Sequence, residues 1–421
     1  MLIYSEKITA RLQYIAEVFF EDVRVTSSIA EFSASGGIKI NYSNKKFSEE
    51  EFHIVPSGLL FEGGIKKQNI HCTEWNGLKI FFQANGDIPF DIFSASFYLL
   101  SRYEEYLPHK KDSYGRFSHE KSLAFRENFL HLPLVNLWIR EFYGLLIKKF
   151  PAFVKPHSSF SFLPTYDIDI AYSVKGRGLL KKVYNLFKEK SRGKDRFDIY
   201  GWLDELHLKH QLSPMYFFLL AKRRSKYDKN LSPKSSALKN LVRNLSSKYV
   251  VGIHPSWQSY HDEQLFNDER LHLQKISGRN ITSSRQHYIK FTLPYTFRSL
   301  IEAGINNDYS MGYGSINGFR ASFTSPFYWY DLMQEKKTEL LLHPFCYMEA
   351  NSYFEQTLTA EEAAKELQSY YHVVKKVNGH FITIFHNHFL TEERQWLPWR
   401  KMYEEFLQKN FQTTSPSRQE Q

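Results

Sequence analysis

The sequence predicts an α/β protein: a distorted (β/α) barrel of about seven strands with a smaller N-terminal α+β domain. The first reason is length, because 421 residues exceed what one ordinary hydrophobic core supports. The second is an alternation of apolar, strand-like runs with helical stretches in the later part of the chain, which is typical of parallel strands joined by crossover helices. The third is the extent of that alternation, since about 250 residues is the usual length of a β/α barrel.

The first 155 residues mix short strands with helices. The runs GGIKINYS and GLKIFFQA indicate strands, whereas DIFSASFYLLSRYEEYLP and LPLVNLWIREFYGLLIKKF have apolar residues at helical spacing. The stretch PAFVKPHSS then carries two prolines and is a candidate linker. We therefore expect an accessory domain over 1–155, the barrel over 156–410 and a disordered polar tail over 411–421.

The barrel region contains seven strand-like runs separated by helical stretches. The runs are SFSFLPTYD, PMYFFLL, YVVGIHP, NITSSRQH, NGFRASF, ELLLHPF and HFITIFHNH. In parallel α/β folds the chemistry takes place at the carboxyl ends of the strands. The side chains that follow these runs are therefore the first candidates for a functional site.

Several of these predicted strand ends carry carboxylates, imidazoles or guanidinium groups. They are Asp167 and Asp169 at the first, His254 at the third, Arg285 and His287 at the fourth, Arg320 at the fifth, and His386 and His388 at the last. A single histidine beside an apolar run is more often a packing residue, but barrel closure would gather all of these ends around one mouth. A carboxylate with two imidazoles is a hydrolytic metal set, to which a second carboxylate and another histidine would add a general base and a general acid.

The order of these motifs resembles that of the polysaccharide deacetylase superfamily, the chitin deacetylase-like enzymes with a distorted β/α barrel. Members of that family carry T-F-D-D-G, then H-[ST]-x-x-H, then R-x-P-x-G and finally a hydrophobic strand that ends in L-H. This chain has TYDID, GIHPSWQS, GFRAS and ITIFHN in the same order, within residues 160–400. The resemblance is to a divergent bacterial branch with an extra N-terminal domain. It implies a metal-dependent hydrolase that removes an acetyl group from an N-acetylated sugar or polysaccharide intermediate.

The resemblance also implies catalytic roles for three residues. Asp167 stands where the family has its catalytic base, and His386 stands where the family has its general acid. Arg320 matches the arginine that orients the base, although Ala321 and Ser322 follow it in place of the family's proline motif.

The implied metal ligands are Asp169, His254 and His287, with zinc as the favoured divalent ion for mixed nitrogen and oxygen ligands. Asp169 falls one position later than the family's second Asp, and His254 matches the first metal histidine. The second histidine should lie four residues after His254, where this chain has Gln258, so His287 is the candidate replacement. These departures leave open a catalytically inactive carbohydrate-binding or interaction protein on the same barrel. A metal-dependent hydrolase of another bond is a third reading.

Three further residues are candidates for substrate binding. Trp257 and Trp396 offer flat apolar rings on which a sugar can stack, and Arg285 follows the same predicted strand as His287.

Charge and hydropathy suggest where the protein acts. The formal net charge is +10, and residues 175–196 hold nine Lys or Arg residues against Glu189 and Asp195. That stretch would suit an anionic glycan or a membrane surface, while no recognised nucleic-acid module is present.

The sequence has no apolar run long enough for a transmembrane segment and no secretory signal. Its two cysteines, Cys72 and Cys346, form no disulfide framework. We therefore expect a cytoplasmic protein.

Overall fold

The computed structural model describes residues 1–176 and 195–411. The centre of the basic stretch at 175–196 and almost all of the polar tail at 411–421 lie outside the described residues, so both interpretations stay predictions. Within the described ranges, no helix combines the length and the apolar character that crossing a membrane requires.

The N-terminal part contains a small parallel sheet covered by helices. The strands are β1 (Leu2–Ser5), β2 (Arg24–Thr26), β3 (Lys39–Tyr42) and β4 (Phe52–Ile54), in the order β2-β1-β3-β4. A separate hairpin of β5 (Thr73–Trp75) and β6 (Leu78–Ile80) turns at Asn76-Gly77, where both residues have the positive φ that a tight hairpin turn needs. The helices are Ala10–Phe19, Ile29–Ala34, Ile92–Leu100, Leu123–Arg126 and Leu134–Lys149. Because helices connect parallel strands here, the four-stranded sheet is of the α/β type rather than the predicted α+β type.

The later part contains a second, larger sheet. Its strands are β7 (Ser161–Ile168), β8 (Met215–Leu219), β9 (Val250–His254), β10 (Ser283–Ser284), β11 (Asn307–Asp308), β12 (Phe327–Asp331), β13 (Lys336–Leu342), β14 (Tyr347–Met348) and β15 (His380–His386). The order is β12-β13-β11-β10-β9-β8-β7-β15-β14, and every neighbouring pair except β12–β13 is parallel. The helices are Tyr200–Lys209, Ser236–Lys248, Glu263–Ser277, Tyr295–Glu302, Ala360–Lys376 and Leu397–Asn410.

The predicted alternation of strands and helices is confirmed for most of this region, with one exception. Six of the seven strand-like runs contain strands, but NGFRASF at 317–323 contains none. Its backbone bonds to other parts of the chain instead: Gly318 donates to the carbonyl of Cys346 and Phe319 donates to that of Leu130. The mixed α/β class is observed, whereas closure of the sheet into a barrel stays a prediction.

The two parts pack against each other around one continuous hydrophobic core. The rings of Tyr14 and Phe97 from the N-terminal part both contact Tyr330 on β12, with centroid separations of 5.0 and 5.1 Å. Arg11 reaches across the same boundary, and its Nη2 lies 2.5 Å from Oε1 of Glu335. Separating the parts would therefore expose apolar surface and break buried ion pairs.

A second buried ion pair across this boundary corrects the role expected for Arg320. Its Nε and Nη2 atoms donate to the two carboxylate oxygens of Glu105 at 2.8 and 2.6 Å, and Arg102 Nε donates to Glu105 at 2.7 Å. Burial alone would raise the pKa of Glu105, but the charges of Arg320 and Arg102 lower it to about 2. The expectation that Arg320 orients Asp167 was wrong, because its planar guanidinium is already committed to Glu105.

We predict that Glu105→Gln destabilises the protein, because the substitution leaves Arg320 buried without its counter-charge and Arg102 with Glu104 alone. Removing one partner of a buried ion pair costs about 3–5 kcal/mol. The folded-state pKa of about 2 lies below the ordinary value of 4.5. The stabilisation is therefore fully present above pH 4.5 and is lost as the pH falls through 2. Urea unfolding should show a large difference between wild type and variant at pH 7 and a smaller one at pH 3.

The matched control is Glu361→Gln, which removes an exposed carboxylate that pairs with Lys365 at 3.3 Å. It should leave the unfolding free energy nearly unchanged, since exposed pairs contribute about 0–1 kcal/mol. Equal stability of wild type and Glu105→Gln at pH 7 would contradict the prediction.

Candidate active site

The large sheet aligns the ends of its central strands at one edge. In the register of β7 and β15, Asp167 pairs with His386, and in that of β8 and β9, Leu219 pairs with His254. Asp169 comes two residues after Asp167, just beyond the end of β7. Side chains that are far apart in sequence are thus brought together where parallel strands end.

Asp169, His254 and His287 converge, as the sequence predicts. Oδ1 of Asp169 lies 3.3 Å from Nε2 of His254, and Oδ2 lies 3.6 Å from Nε2 of His287. All three ligand atoms lie within 4.8 Å of one another. Two atoms bound about 2.1 Å from a tetrahedral zinc ion are about 3.4 Å apart, so these separations suit a shared ion.

Each histidine is oriented by a bond from its other ring nitrogen. Nδ1 of His254 donates to the carbonyl of Arg285 at 2.6 Å, and Nδ1 of His287 donates to Oδ1 of Asp228 at 3.3 Å. Partners of this kind fix the ring and its tautomer in metal sites. The sequence reading missed Asp228, which lies in the loop after β8. Gln258 stands where the family has its second metal histidine. Its Nε2 donates to the same Asp228 carboxylate at 3.3 Å.

The chemistry of the donor set also fits a cation. A carbonyl oxygen only accepts, so the Nδ1 of His254 carries a proton, and Nε2 is the ring atom that faces the Asp169 carboxylate. Oδ1 of Asp169 is buried and accepts no hydrogen bond from the described residues. Burial would raise the pKa of Asp169, but the charge of His287 holds it well below its usual range. A carboxylate oxygen that is buried without a hydrogen bond is stabilised by a positive ion beside it.

Asp167 is held by Arg285 rather than by Arg320. Nη1 of Arg285 donates to Oδ1 of Asp167 at 2.9 Å and to Oγ1 of Thr165 at 2.7 Å, and Nε donates to the carbonyl of Tyr309 at 3.0 Å. The side chain of Arg285 is 0% exposed, so it cannot reach a substrate. The expectation that Arg285 binds substrate was therefore wrong, and its charge-assisted bond instead orients the Asp167 carboxylate.

His386 is paired with a buried carboxylate that the sequence reading missed. Its Nδ1 donates to Oε1 of Glu349 at 2.8 Å, and its backbone N–H donates to the same oxygen. Burial opposes the charged ring, but Glu349 raises the pKa of His386 to about 10. Nε2 of His386 lies 3.8 Å from Oδ2 of Asp169, so a protonated imidazole faces the candidate metal ligands. His388, unlike His386, has a neutral ring, because burial lowers the pKa of His388 to about 3.

A cavity of about 530 Å³ opens onto these groups. Asp167, Asp169 and the site histidines line it together with Lys229. The N-terminal part contributes to the same wall through Tyr114 and Arg116. The volume falls in the range of about 300–1,000 Å³ that is usual for small-molecule sites.

The two tryptophans expected to bind substrate occupy other positions. One face of Trp257 is covered by Tyr227, with centroids 3.9 Å apart and planes at 23°, and Nζ of Lys290 lies 3.5 Å from the ring centroid. Both groups cannot occupy one face, so neither face is free for a sugar. Trp396 is 8% exposed and packs against Phe389 with centroids 4.3 Å apart. Neither residue lines the cavity, and the stacking roles expected for them were wrong.

Comparison with known proteins gives one family model and several solved structures. Residues 1–151 match the model of a family of unknown function (DUF7033). No curated protein matches the sequence.

A polysaccharide deacetylase structure from Mycobacterium smegmatis is 13% identical, with a TM-score of 0.39 over 61% of this chain and 86% of that chain. One from Pseudomonas aeruginosa is 12% identical, with a TM-score of 0.39 over 61% of this chain and 88% of that chain. One from Bacillus cereus is 11% identical, with a TM-score of 0.33 over 61% of this chain and 93% of that chain.

Proposed function

We propose that the protein is a metal-dependent hydrolase that removes the acetyl group from an N-acetylated sugar or polysaccharide intermediate. The observation that carries this proposal is the Asp169–His254–His287 cluster beside an arginine-held carboxylate and a carboxylate-held histidine. These are the groups that hydrolysis of an amide requires: a metal site, a base and an acid. The order of motifs along the sequence supports the same assignment.

Asp169, His254 and His287 would hold the ion. One carboxylate and two imidazoles suit zinc, although other divalent ions accept the same ligands. A divalent ion at this position would polarise the acetyl carbonyl and lower the pKa of water. Asp228 and the carbonyl of Arg285 keep the two imidazoles turned toward it.

The remaining groups would move the protons. Asp167, oriented by Arg285, takes a proton from water as the water oxygen bonds to the acetyl carbon. His386, kept protonated by Glu349, gives a proton to the amide nitrogen as the C–N bond breaks. The products are acetate and a free amino sugar. His388 is neutral and lies on the cavity wall, where it can accept or donate a hydrogen bond to the substrate.

We predict that His254→Ala loses the metal. The protein should bind about one zinc ion per chain when purified without chelator, and the variant should bind much less, because one of three protein ligands is gone. Elemental analysis measures the difference directly. His372→Ala is the matched control, since His372 is exposed on the helix Ala360–Lys376 and should leave metal content unchanged. Wild-type protein without metal would contradict the proposed function.

We also predict that His386→Ala keeps its metal but loses turnover. Removing a positioned acid or base typically costs about 10²–10⁴-fold in rate. The release of acetate from a soluble N-acetylated sugar oligomer measures turnover, and metal content is measured on the same samples. An apo variant would make His386 a ligand. Full metal content in the wild type without any acetate release would favour the inactive carbohydrate-binding alternative.

Asp167→Asn should also lose turnover while it keeps its metal, because the amide cannot accept a proton from water. The buried Arg285 loses its counter-charge, so the variant should be less stable to urea, but its metal content should persist because the three proposed ligands are unchanged. The expected loss of turnover is again about 10²–10⁴-fold. Wild-type turnover in this variant would rule out Asp167 as the base.

A further inference from the structure

The loop that follows His287 has an unfavourable backbone conformation. Tyr288 has φ of 59° and ψ of 14°, and Ile289 has φ of 53°. Left-handed conformations cost about 1–2 kcal/mol for a residue with a side chain, and a β-branched residue such as Ile289 rarely adopts one. Two such residues in succession persist only where surrounding contacts hold them. The contacts that hold Tyr288 therefore also determine where His287, its neighbour, points.

Arg116 supplies the main polar contact to this loop. Its Nη1 donates to the carbonyl of Tyr288 at 2.7 Å and to that of Gly314 at 3.1 Å. Its Nε is bound to Oδ2 of Asp112 at 2.7 Å, and the residue is 4% exposed. Gly314 permits the approach, because a Cβ there would lie 2.2 Å from Nη1 of Arg116. Asp112 thus fixes the Nε side of the guanidinium, and Nη1 on the opposite side binds the strained loop.

The side chain of Tyr288 is held from the same segment. The ring of Tyr114 stacks on that of Tyr288, with centroids 5.4 Å apart and planes at 23°. Cζ of Arg116 lies 4.7 Å from the centroid of the Tyr114 ring. Asp112 also orders this segment by accepting from the backbone N–H groups of Tyr114 and Arg116, both at 2.9 Å. Residues 112–116 of the N-terminal part therefore contact both the carbonyl and one face of the ring of Tyr288, while Tyr227 and Trp257 of the large-sheet part also contact the ring, with centroids 5.5 Å away.

We propose that the N-terminal part completes the metal site, with Arg116 as a positioning residue for His287. The inference rests on the proposed function in so far as His287 binds the metal. Arg116 touches no metal ligand itself; it holds the peptide of Tyr288 in the conformation that turns His287 toward Asp169. Residues 1–151, which match a family of unknown function, then have a defined role. This proposal gives the accessory domain expected over 1–155 a part in the metal site.

The test is metal affinity, measured with Co²⁺ added to metal-free full-length protein and followed by its visible absorption and by calorimetry. Arg116→Ala should weaken Co²⁺ binding by about 10–100-fold, the usual effect of removing a group that supports a ligand. Arg116→Lys retains the charge but cannot bind Asp112 and Tyr288 with a planar fork, so a smaller fall is expected. If the alanine variant does not fold, the lysine variant carries the test.

Arg11→Ala is the matched control. Arg11 is also a buried arginine of the N-terminal part, 1% exposed, and it pairs across the same boundary with Glu335. Its removal should lower the melting temperature without changing the affinity for Co²⁺. A general loosening of the boundary would instead weaken binding equally in the Arg11 and Arg116 variants, and that result would overturn the proposal.

A second variant tests whether the backbone conformation is the link. Glycine adopts positive φ without strain, so Tyr288→Gly should need less support from Arg116. Arg116→Ala should therefore reduce Co²⁺ affinity less in the Tyr288→Gly background than in the wild type, as a double-mutant cycle would measure. Equal reductions in the two backgrounds would overturn the proposal, as would wild-type affinity in Arg116→Ala. Wild-type protein that binds no Co²⁺ would instead overturn the proposed function, which separates the two failures.

Discussion

The arrangement of the site depends on where three imidazoles place their Nδ1 protons. His254, His287 and His386 each turn Nε2 toward the Asp169 carboxylate, at 3.3, 3.6 and 3.8 Å. Each can do so because Nδ1 is bound elsewhere, and the three partners differ. His254 bonds to a neutral carbonyl and His287 to the carboxylate of Asp228, whereas the ring of His386 bonds to the fully buried carboxylate of Glu349 and is held protonated. The partner behind each ring thus fixes which nitrogen faces Asp169.

Fixed hydrogen-bond partners also determine the position of the buried Arg285 guanidinium beside Asp167. Arg285 is fully buried, and the face of Phe217 lies 4.3 Å from its Cζ. A charge in such surroundings requires fixed partners, which here are Asp167, Thr165 and the carbonyl of Tyr309. Because Arg285 also offers its own carbonyl to His254, a single residue at the end of β10 orients both a candidate base and a candidate metal ligand.

The sequence predicted the part of this site that depends on strand periodicity. Asp167, Asp169, His254 and His386 end or follow apolar runs that do form strands, so their convergence followed from parallel pairing. Asp228 and Glu349 were missed because one lies in a long loop and the other follows a strand of only two residues, Tyr347–Met348. Neither position has a periodic pattern around it, and each is fixed by tertiary contacts that a single sequence does not display.

The sequence analysis assigned the orientation of Asp167 to Arg320 rather than to Arg285 for a related reason. Arg285 and Arg320 both follow short runs that look like strands, and the family motif favoured Arg320. The run before Arg320 is instead bound to Leu130 and Cys346, which turns its guanidinium toward Glu105 in the N-terminal part. A motif match gives the order of residues along the chain, but the direction of a side chain depends on the backbone that carries it.

The boundary between the two parts is therefore more than a covering surface. Arg320 reaches from the large-sheet part to Glu105, and Arg116 reaches in the opposite direction to the carbonyl of Tyr288. Both guanidinium groups are buried, so separating the parts would leave Arg320 without its carboxylate partner and Arg116 with Asp112 alone, as well as exposing shared apolar core. One of these contacts ends on the residue next to His287. Evolutionary loss or replacement of the N-terminal part would thus disturb the candidate metal site directly, which gives a physical reason for the two parts to remain on one chain.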